Sequence, residues 1–221
     1  MTIEIPAPLQ MERALLEDGL VQLQLDRELA TPLLQYLALM LRWNATYNLT
    51  AIREPREMVV KHILDSAAMH PFVKDIASKG GSIADLGAGA GLPGIVLSII
   101  YPDLHVTMIE SAGKKVRFLR EAIRQLKLER ASAEHVRIEA FKPTNPFDAI
   151  TARALATLPL LIDFGGHLLR PGGELLAMKA VFPTEEIDGL TDGWNVTADH
   201  ELAVPFLDAQ RRLLVVARNG A

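Results

Sequence analysis

The stretch Asp85-Leu86-Gly87-Ala88-Gly89-Ala90-Gly91-Leu92-Pro93-Gly94 limits what this chain can fold into more than any other segment. A run of apolar or small residues from Ser82 leads into it, and the apolar run Ile95 to Ile100 follows. Strand, glycine-dense turn and helix in that order form the layout of a nucleotide-type cofactor loop. Glycine lets the backbone turn sharply and lets a ligand lie against bare N–H groups. Gly89, Gly91 and Gly94 also satisfy G-x-G-x-x-G, the spacing of dinucleotide sites. In such sites the glycines begin just after the strand, and a pyrophosphate meets the helix N-terminus. Here the strand feeds Gly87, so Gly89 comes late. Asp85 at the strand end would repel a pyrophosphate. Its carboxylate is expected to point at the ligand and to favour a cationic one, such as the sulfonium and amino group of S-adenosyl-L-methionine. The bland alternative is a tight turn that holds no ligand.

The 221 residues suit one large α/β domain, or one domain with an appendage. A hydrophobic content of 49% with 23% charged residues excludes a disordered chain. With no cysteine there is no disulfide and no thiolate metal site, which fits a reducing, cytoplasmic setting. Met1 to Gln10 lacks a basic start and a long apolar core, so no signal peptide is expected. The apolar runs are too short to span a bilayer. The net charge of −4 means that any nucleic-acid partner must be held by a local basic patch.

The first third reads helical. Thr31 and Pro32 look like a cap and first helical residue, followed by Leu33, Leu37, Met40 and Leu41 at helical spacing. Pro55 opens another helix whose face is Val59, Ile63 and Ala67. Residues 1–70 are therefore expected to form a helical extension on a cofactor domain of residues 71–221. From 82 onward strands are expected at 82–86, 105–110, 134–138, 147–152 and 173–179, with helices at 92–100, 114–127 and 157–168. Such alternation implies a mostly parallel sheet with helices on both faces. Pro171-Gly172-Gly173 reads as a turn before the fifth strand. Two further strands, near 195–205 and 211–217, would add an antiparallel edge.

Several residues fall where chemistry is expected. Glu110 ends the second strand, 19 residues past Gly91, the place of the acid that takes ribose hydroxyls in doubly wound folds. Glu139 ends the third strand, where the backbone could frame an adenine, although it could be a plain surface acid. Arg153 ends the fourth strand. It could hold a phosphate, stack on a base, or simply pair with a local acid such as Asp148. Between Lys114 and Arg130 lie seven basic residues and two acids. Lys114, Lys115, Arg117, Arg120 and Arg124 would give a helix a positive ridge for RNA phosphates, or else a solvated face. His62 is a lone histidine beside apolar residues, and such a residue is more often structural than catalytic. No histidine pair has metal spacing and no G-x-S-x-G is present, so neither a metal site nor a hydrolase is expected.

Taken together, the motifs resemble a known family. They are Trp43-Asn44, Asn48-Leu49-Thr50-Ala51-Ile52-Arg53, Lys61-His62-Ile63-Leu64-Asp65-Ser66, Asp85 to Gly94, Lys114 to Arg120, and Thr151-Ala152-Arg153-Ala154. In this order the chain is similar to the bacterial small-subunit (16S) rRNA guanine-N7 methyltransferases, also called glucose-inhibited division protein B. The resemblance runs from about Trp43 to Lys179. It implies a class I, Rossmann-like methyltransferase fold with a seven-stranded sheet and an N-terminal helical extension. It also implies S-adenosyl-L-methionine as cofactor and 16S rRNA or the small ribosomal subunit as partner, with the protein acting as a monomer. Asp85, Gly87, Gly89, Gly91, Leu92, Glu110, Ile138, Glu139 and Arg153 would form the cofactor pocket. The family often has Asp at Glu110, and the loop Pro143-Thr144-Asn145-Pro146 does not align with it clearly.

The product implied is one 7-methylguanosine in the decoding-region loop. Guanine N7 has an exposed lone pair and no proton, so transfer needs alignment rather than a general base. Alignment alone can supply about 7–11 kcal/mol of a barrier. Arg153, Asn48 and His62 are accordingly expected to position base or backbone, with Asp85 holding the cofactor. The rivals are a methyltransferase of the same fold acting on tRNA, protein or a small molecule, a nicotinamide-dependent oxidoreductase, and a non-catalytic assembly factor.

Overall fold

From Ser82 onward most strands hand the chain to a helix that crosses back over the sheet, as right-handed connections between parallel strands require. The computed structural model describes residues 3–191 and 193–219. Its strands are β1 (Ser82–Leu86), β2 (His105–Glu110), β3 (Ala131–His135), β4 (Phe147–Arg153), β5 (Leu169–Lys179), β6 (Trp194–Glu201) and β7 (Arg212–Arg218). Their order across the sheet is β3-β2-β1-β4-β5-β7-β6. β1 to β5 pair in parallel, and β7 runs antiparallel to both β5 and β6. The strand order reverses between β1 and β4, and ligands of open α/β sheets bind at the carboxyl ends of strands at such a switch point.

The helices preceding the sheet are α1 (Ala7–Met11), α2 (Arg13–Gln22), α3 (Ala30–Tyr47), α4 (Pro55–Met58), α5 (Asp65–Ala67) and α6 (His70–Ser78). A π-helical turn, Val59–Leu64, joins α4 to α5. Within the sheet region follow α7 (Gly94–Ile100), α8 (Gly113–Leu126), α9 (Leu158–Gly165) and α10 (Thr184–Asp188). Strand side chains alternate between faces. Ile83, Val106, Met108 and Ala149 therefore pack with α2, α3, α7 and α8 in one buried cluster. Ala84, Leu86, Ile109 and Ile150 pack with α9 in another. The N-terminal helices thus share a core with β1 and β2.

Three expectations need correction. The third strand lies at Ala131–His135, three of its five residues before those expected. Val136 and Ile138 carry the strand-like pattern, but they turn off the sheet edge and pack against the α9 cluster, with Ile138–Ala140 in a 3-10 turn. Pro171-Gly172-Gly173 is not a turn before β5 but part of it, and the pairing with β4 shifts register there. Such irregularities let proline and glycine enter a strand. Finally, α3 begins at Ala30 rather than after a Thr31 cap. Its N-cap, Leu29, makes no side-chain capping bond; the capped start is that of the preceding 3-10 turn, Arg27–Leu29, where the Asp26 carboxylate accepts from Glu28 N at 2.8 Å. Thr31 Oγ1 instead accepts from Arg13 Nη1 at 3.1 Å.

Candidate active site

The glycine loop is held from three sides. Gly87, Gly89 and Gly91 adopt positive φ angles of 60°, 59° and 90°. The buried Tyr36 hydroxyl, on α3, donates to Ala90 O at 2.5 Å. Glu110 accepts from Gly89 N at 3.0 Å and from Ala112 N at 2.7 Å, so each carboxylate oxygen holds one N–H and keeps a lone pair free. Asp85 shares a sheet face with Ile83, and its Oδ2 accepts from Gly94 N at 2.9 Å, at the start of α7. Its other oxygen is buried and has no hydrogen-bond partner among the described residues. Burial raises the Asp85 pKa to about 7, against the opposing pull of the Gly94 N–H and the Arg153 charge. Asp85 lies beneath the loop and is not among the residues that line the adjoining cavities.

Two cavities open at the carboxyl ends of the strands and meet at Gly87. The larger, about 570 Å³, is lined by Gly87, Gly89, Leu92, His62 and Arg153 among the expected residues. The smaller, about 310 Å³, is lined by Gly87, Glu110, Ile138 and Glu139. Both lie within or near the usual size range of small-molecule sites. Gly87 suits this position because its backbone is left-handed. A Cβ there would stand 2.7 Å from Leu155 Cδ1, on a backbone whose φ is already left-handed. Gly91 faces Ile95 and Leu119 rather than a cavity. Asn48 lines neither cavity.

The floor of the larger cavity is an ion triad. Ala149, Thr151 and Arg153 alternate onto the face covered by the N-terminal helices, which carries Arg153 to Asp65 and not to Asp148. Arg153 Nη1 donates to Asp65 Oδ2 at 2.8 Å and to Lys61 O at 3.0 Å. Arg211, just before β7, donates through Nε to Asp65 Oδ1 at 2.6 Å. Asp65 is 2% exposed and both arginines line the cavity. One carboxylate against two guanidiniums leaves a net positive charge. Nε and Nη2 of Arg153 and Nη2 of Arg211 make no hydrogen bond among the described residues. Asp148 pairs instead with Arg170 and with Ser82 N.

His62 sits in the π-helical turn, a rare conformation that is frequent at functional sites. Its Nδ1 lies 3.3 Å from Lys61 O and its Nε2 2.9 Å from Thr50 Oγ1. A carbonyl can only accept, so Nδ1 carries the proton and Nε2 accepts from the threonine hydroxyl. Burial and the neighbouring Arg153 lower the His62 pKa to about 4, so the ring is neutral at physiological pH. Thr50 is fixed in turn by Asn44, whose amide donates to Thr50 O and accepts from Thr50 N, both at 3.0 Å. Asn48 ends α3 in the left-handed conformation that asparagine tolerates, and its side chain accepts from Arg53 at 3.1 Å.

The basic ridge of α8 is partly engaged. Arg120 donates twice to Ala133 O at 3.1 Å, and Arg124 forms a two-pronged pair with Glu121. Lys115 lies 3.9 Å from Glu110. Lys114 sits 5.8 Å over the Tyr47 ring. Neither Lys114 nor Arg117 makes an ion pair among the described residues.

Sequence reasoning named Arg153 and His62 but not Asp65, Thr50 or Asn44 as site residues, although all three lie inside motifs it had singled out. Arg211 carried no local signal, since it meets Asp65 across 146 positions of chain.

The sheet, its switch point and the glycine loop between two cavities define the class I methyltransferase fold. Solved structures agree. An O-methyltransferase from Bacillus cereus, in complex with S-adenosylhomocysteine, superposes with a TM-score of 0.61 at 16% identity, covering 96% of this chain and 100% of that one. A glycopeptide N-methyltransferase gives 0.55 at 14% identity, over 68% of this chain and 90% of that one. The family rRNA small subunit methyltransferase G (GidB) matches residues 30–215, and this chain belongs to it. Ribosomal RNA small subunit methyltransferase G of Stenotrophomonas maltophilia is 55% identical over 213 residues, 96% of this chain and 98% of its own length. The protein of that name from Xanthomonas oryzae pv. oryzae is 54% identical over 205 residues, 93% of this chain and 94% of its own.

Proposed function

We propose that this chain transfers a methyl group from S-adenosyl-L-methionine to N7 of one guanine in the decoding-region loop of 16S rRNA. The observation that carries the proposal is the meeting of two unlike cavities at Gly87. The smaller offers Glu110 for ribose hydroxyls, with Ile138 and Glu139 beside it to frame an adenine. The larger offers guanidinium donors and a neutral histidine. A cofactor laid across the glycine loop would place its nucleoside in the first and its reactive end in the second. The unpartnered oxygen of Asp85 beneath the loop suits the cofactor's positive end.

When bound, the cofactor supplies a methyl group on a positively charged sulfur. N7 has a lone pair and no proton, so the N–C bond forms as the C–S bond breaks and no side chain removes a proton. His62 fits this chemistry because it is neutral and its Nε2 is occupied by Thr50. Its work is to hold the Thr50 loop against the cavity. Arg153 and Arg211 present N–H donors to O6 of the guanine or to the flanking phosphates, and Asp65 fixes their direction. Lys114 and Arg117 reach toward RNA phosphates from α8. No helix of the described residues is long and apolar enough to cross a membrane, and a ribosomal substrate supports a cytoplasmic setting.

The test is transfer of labelled methyl to small-subunit rRNA lacking the native modification, as naked RNA and as subunits, with tRNA as control. A single 7-methylguanosine in the small-subunit RNA is expected. Label in tRNA alone, or at another atom of guanine, would overturn the assignment.

A further inference from the structure

Large apolar side chains gather in the two segments that follow β4 and β5. Leu155 and Leu160 are exposed after β4, and Val181 and Phe182 after β5, at 65% and 47%. The second pair continues the wall of the larger cavity. Met178, Lys179 and Ala180 line that cavity, and Phe182 comes two residues later, within about 7 Å of Ala180 by the reach of the chain.

The segment is braced. Lys179 Nζ donates to Ala156 O at 2.9 Å and to the Glu186 carboxylate at 2.7 Å, and Glu186 also accepts from Leu158 N at 2.8 Å. These contacts tie the end of β5, the loop after β4 and α10 together on both sides of Phe182. Beneath the ring lies Arg212, its guanidinium 5.5 Å from the ring centroid and itself held by Asp199. Arg212 pairs with Lys179 across the sheet and directly follows Arg211 of the cavity floor. Arg212 and Lys179 are each neutralised by a carboxylate, Asp199 and Glu186, so the surplus positive charge beside the ring is that of the Arg153–Asp65–Arg211 triad. An aromatic ring next to such a charge matches the chemistry of a single-stranded nucleic acid, which offers a flat base and a phosphate at every step. An apolar protein partner would make no use of the triad's net charge.

We propose that Phe182 is a stacking platform for a base adjoining the target guanine, holding the RNA strand unstacked while the guanine enters the larger cavity. The inference rests on the RNA methyltransferase reading and goes beyond it by naming a contact to the neighbouring nucleotide.

The experiment compares wild type, Phe182→Ala and Phe182→Trp as full chains, on small subunits and on a short single-stranded RNA carrying the target sequence. Phe182→Ala should raise KM for both RNAs roughly 5-fold to 100-fold, the range for one base–aromatic stack. The dissociation constant for S-adenosylmethionine, the Tm and the salt slope of KM should stay at wild-type values. Phe182→Trp should restore KM, and its added fluorescence should be quenched by the short RNA. Quenching reads binding, so it decides the platform even if Phe182→Ala folds poorly or the preparation transfers no methyl group, whereas wild-type turnover separately tests the reaction. An unquenched tryptophan overturns the proposal. So does an unchanged KM in Phe182→Ala, or a loss seen with subunits but not with the short RNA, which would assign the residue to a ribosomal protein contact.

Discussion

Replacing Asp65 by asparagine tests whether the ion triad holds the cavity floor. The substitution keeps the shape and removes the charge that two guanidiniums share. Taking away one partner of a buried ion pair destabilises a protein by about 3–5 kcal/mol. Asp65 is buried, but the side chains of Arg153 and Arg211 are 21% and 24% exposed. Water therefore recovers part of their solvation, and a loss of about 2–3 kcal/mol is expected. For a chain of this length that is a fall in Tm of roughly 4–12 °C. Thermal unfolding at pH 7 measures it, with Asp103→Asn as control, since its pair with Arg130 is exposed and should contribute about 1 kcal/mol or less. The double variant Asp65→Asn, Arg211→Gln should be more stable than the sum of the two single losses, because one unpaired charge has gone. Methyl transfer should fall while cofactor affinity holds. A Tm for Asp65→Asn within about 1 °C of wild type would refute the reasoning, because the triad would then contribute nothing net.

Four other outcomes follow from the site. His62 is held neutral with its pKa lowered to about 4, so below pH 6.5 the unfolded chain gains a proton that the folded one refuses. Stability should drop by about 2 kcal/mol between pH 7 and pH 5 from this residue alone, and urea unfolding of His62→Gln should lack that part of the drop. Asp85, with its pKa raised to about 7, lines neither cavity and can act on the cofactor's positive end only through the loop, so S-adenosylmethionine should bind more weakly at pH 6 than at pH 8, by at most about tenfold. Calorimetry should find that dependence gone in Asp85→Asn. In Gly94→Ala the new Cβ would stand 2.8 Å from both Asp85 Oδ2 and Met108 Cγ. That overpacking should lower stability by about 1–3 kcal/mol and cofactor affinity with it, both visible in a thermal melt with and without cofactor. On α8, Arg117→Gln should reduce the slope of log affinity for RNA against log salt by about 0.7–0.9, one phosphate contact. Arg124→Gln should change it less, since Glu121 already neutralises that arginine.

What was legible in the chain was what local pattern encodes. The glycine loop announces β1 and its turn, because alternating glycines after an apolar run let the chain leave a strand and enter a helix over a ligand. Glu110 was found by its distance along the chain from that loop. Period and turn signals also placed β2, β4 and α8 within a residue or two. β3 was misplaced because its own residues, Ala131 to His135, have weak strand propensity and are held by their pairing with β2. The better strand formers beside them, Val136 and Ile138, are claimed by the α9 core, a case of packing overriding propensity. The direction of Asp85 was misjudged for a related reason. Its place in the strand was clear, but its hydrogen bond to Gly94 depends on how α7 docks. The triad was the least readable part, since Asp65, Arg153 and Arg211 come from three elements far apart in sequence and meet only once the sheet has formed.

The position of β7 joins folding to function. Among the described residues β6 pairs with β7 alone, and β7 in turn pairs with β5, so β6 belongs to the sheet only through β7. That same placement of β7 brings Arg211 to Asp65. The pairing of β7 with β5 and the completion of the cavity floor are therefore coupled. A change that unseats β7 should therefore take the second guanidinium from the larger cavity while leaving β1, its glycine loop and Glu110 in place, so β7 and β1 answer for different halves of the site.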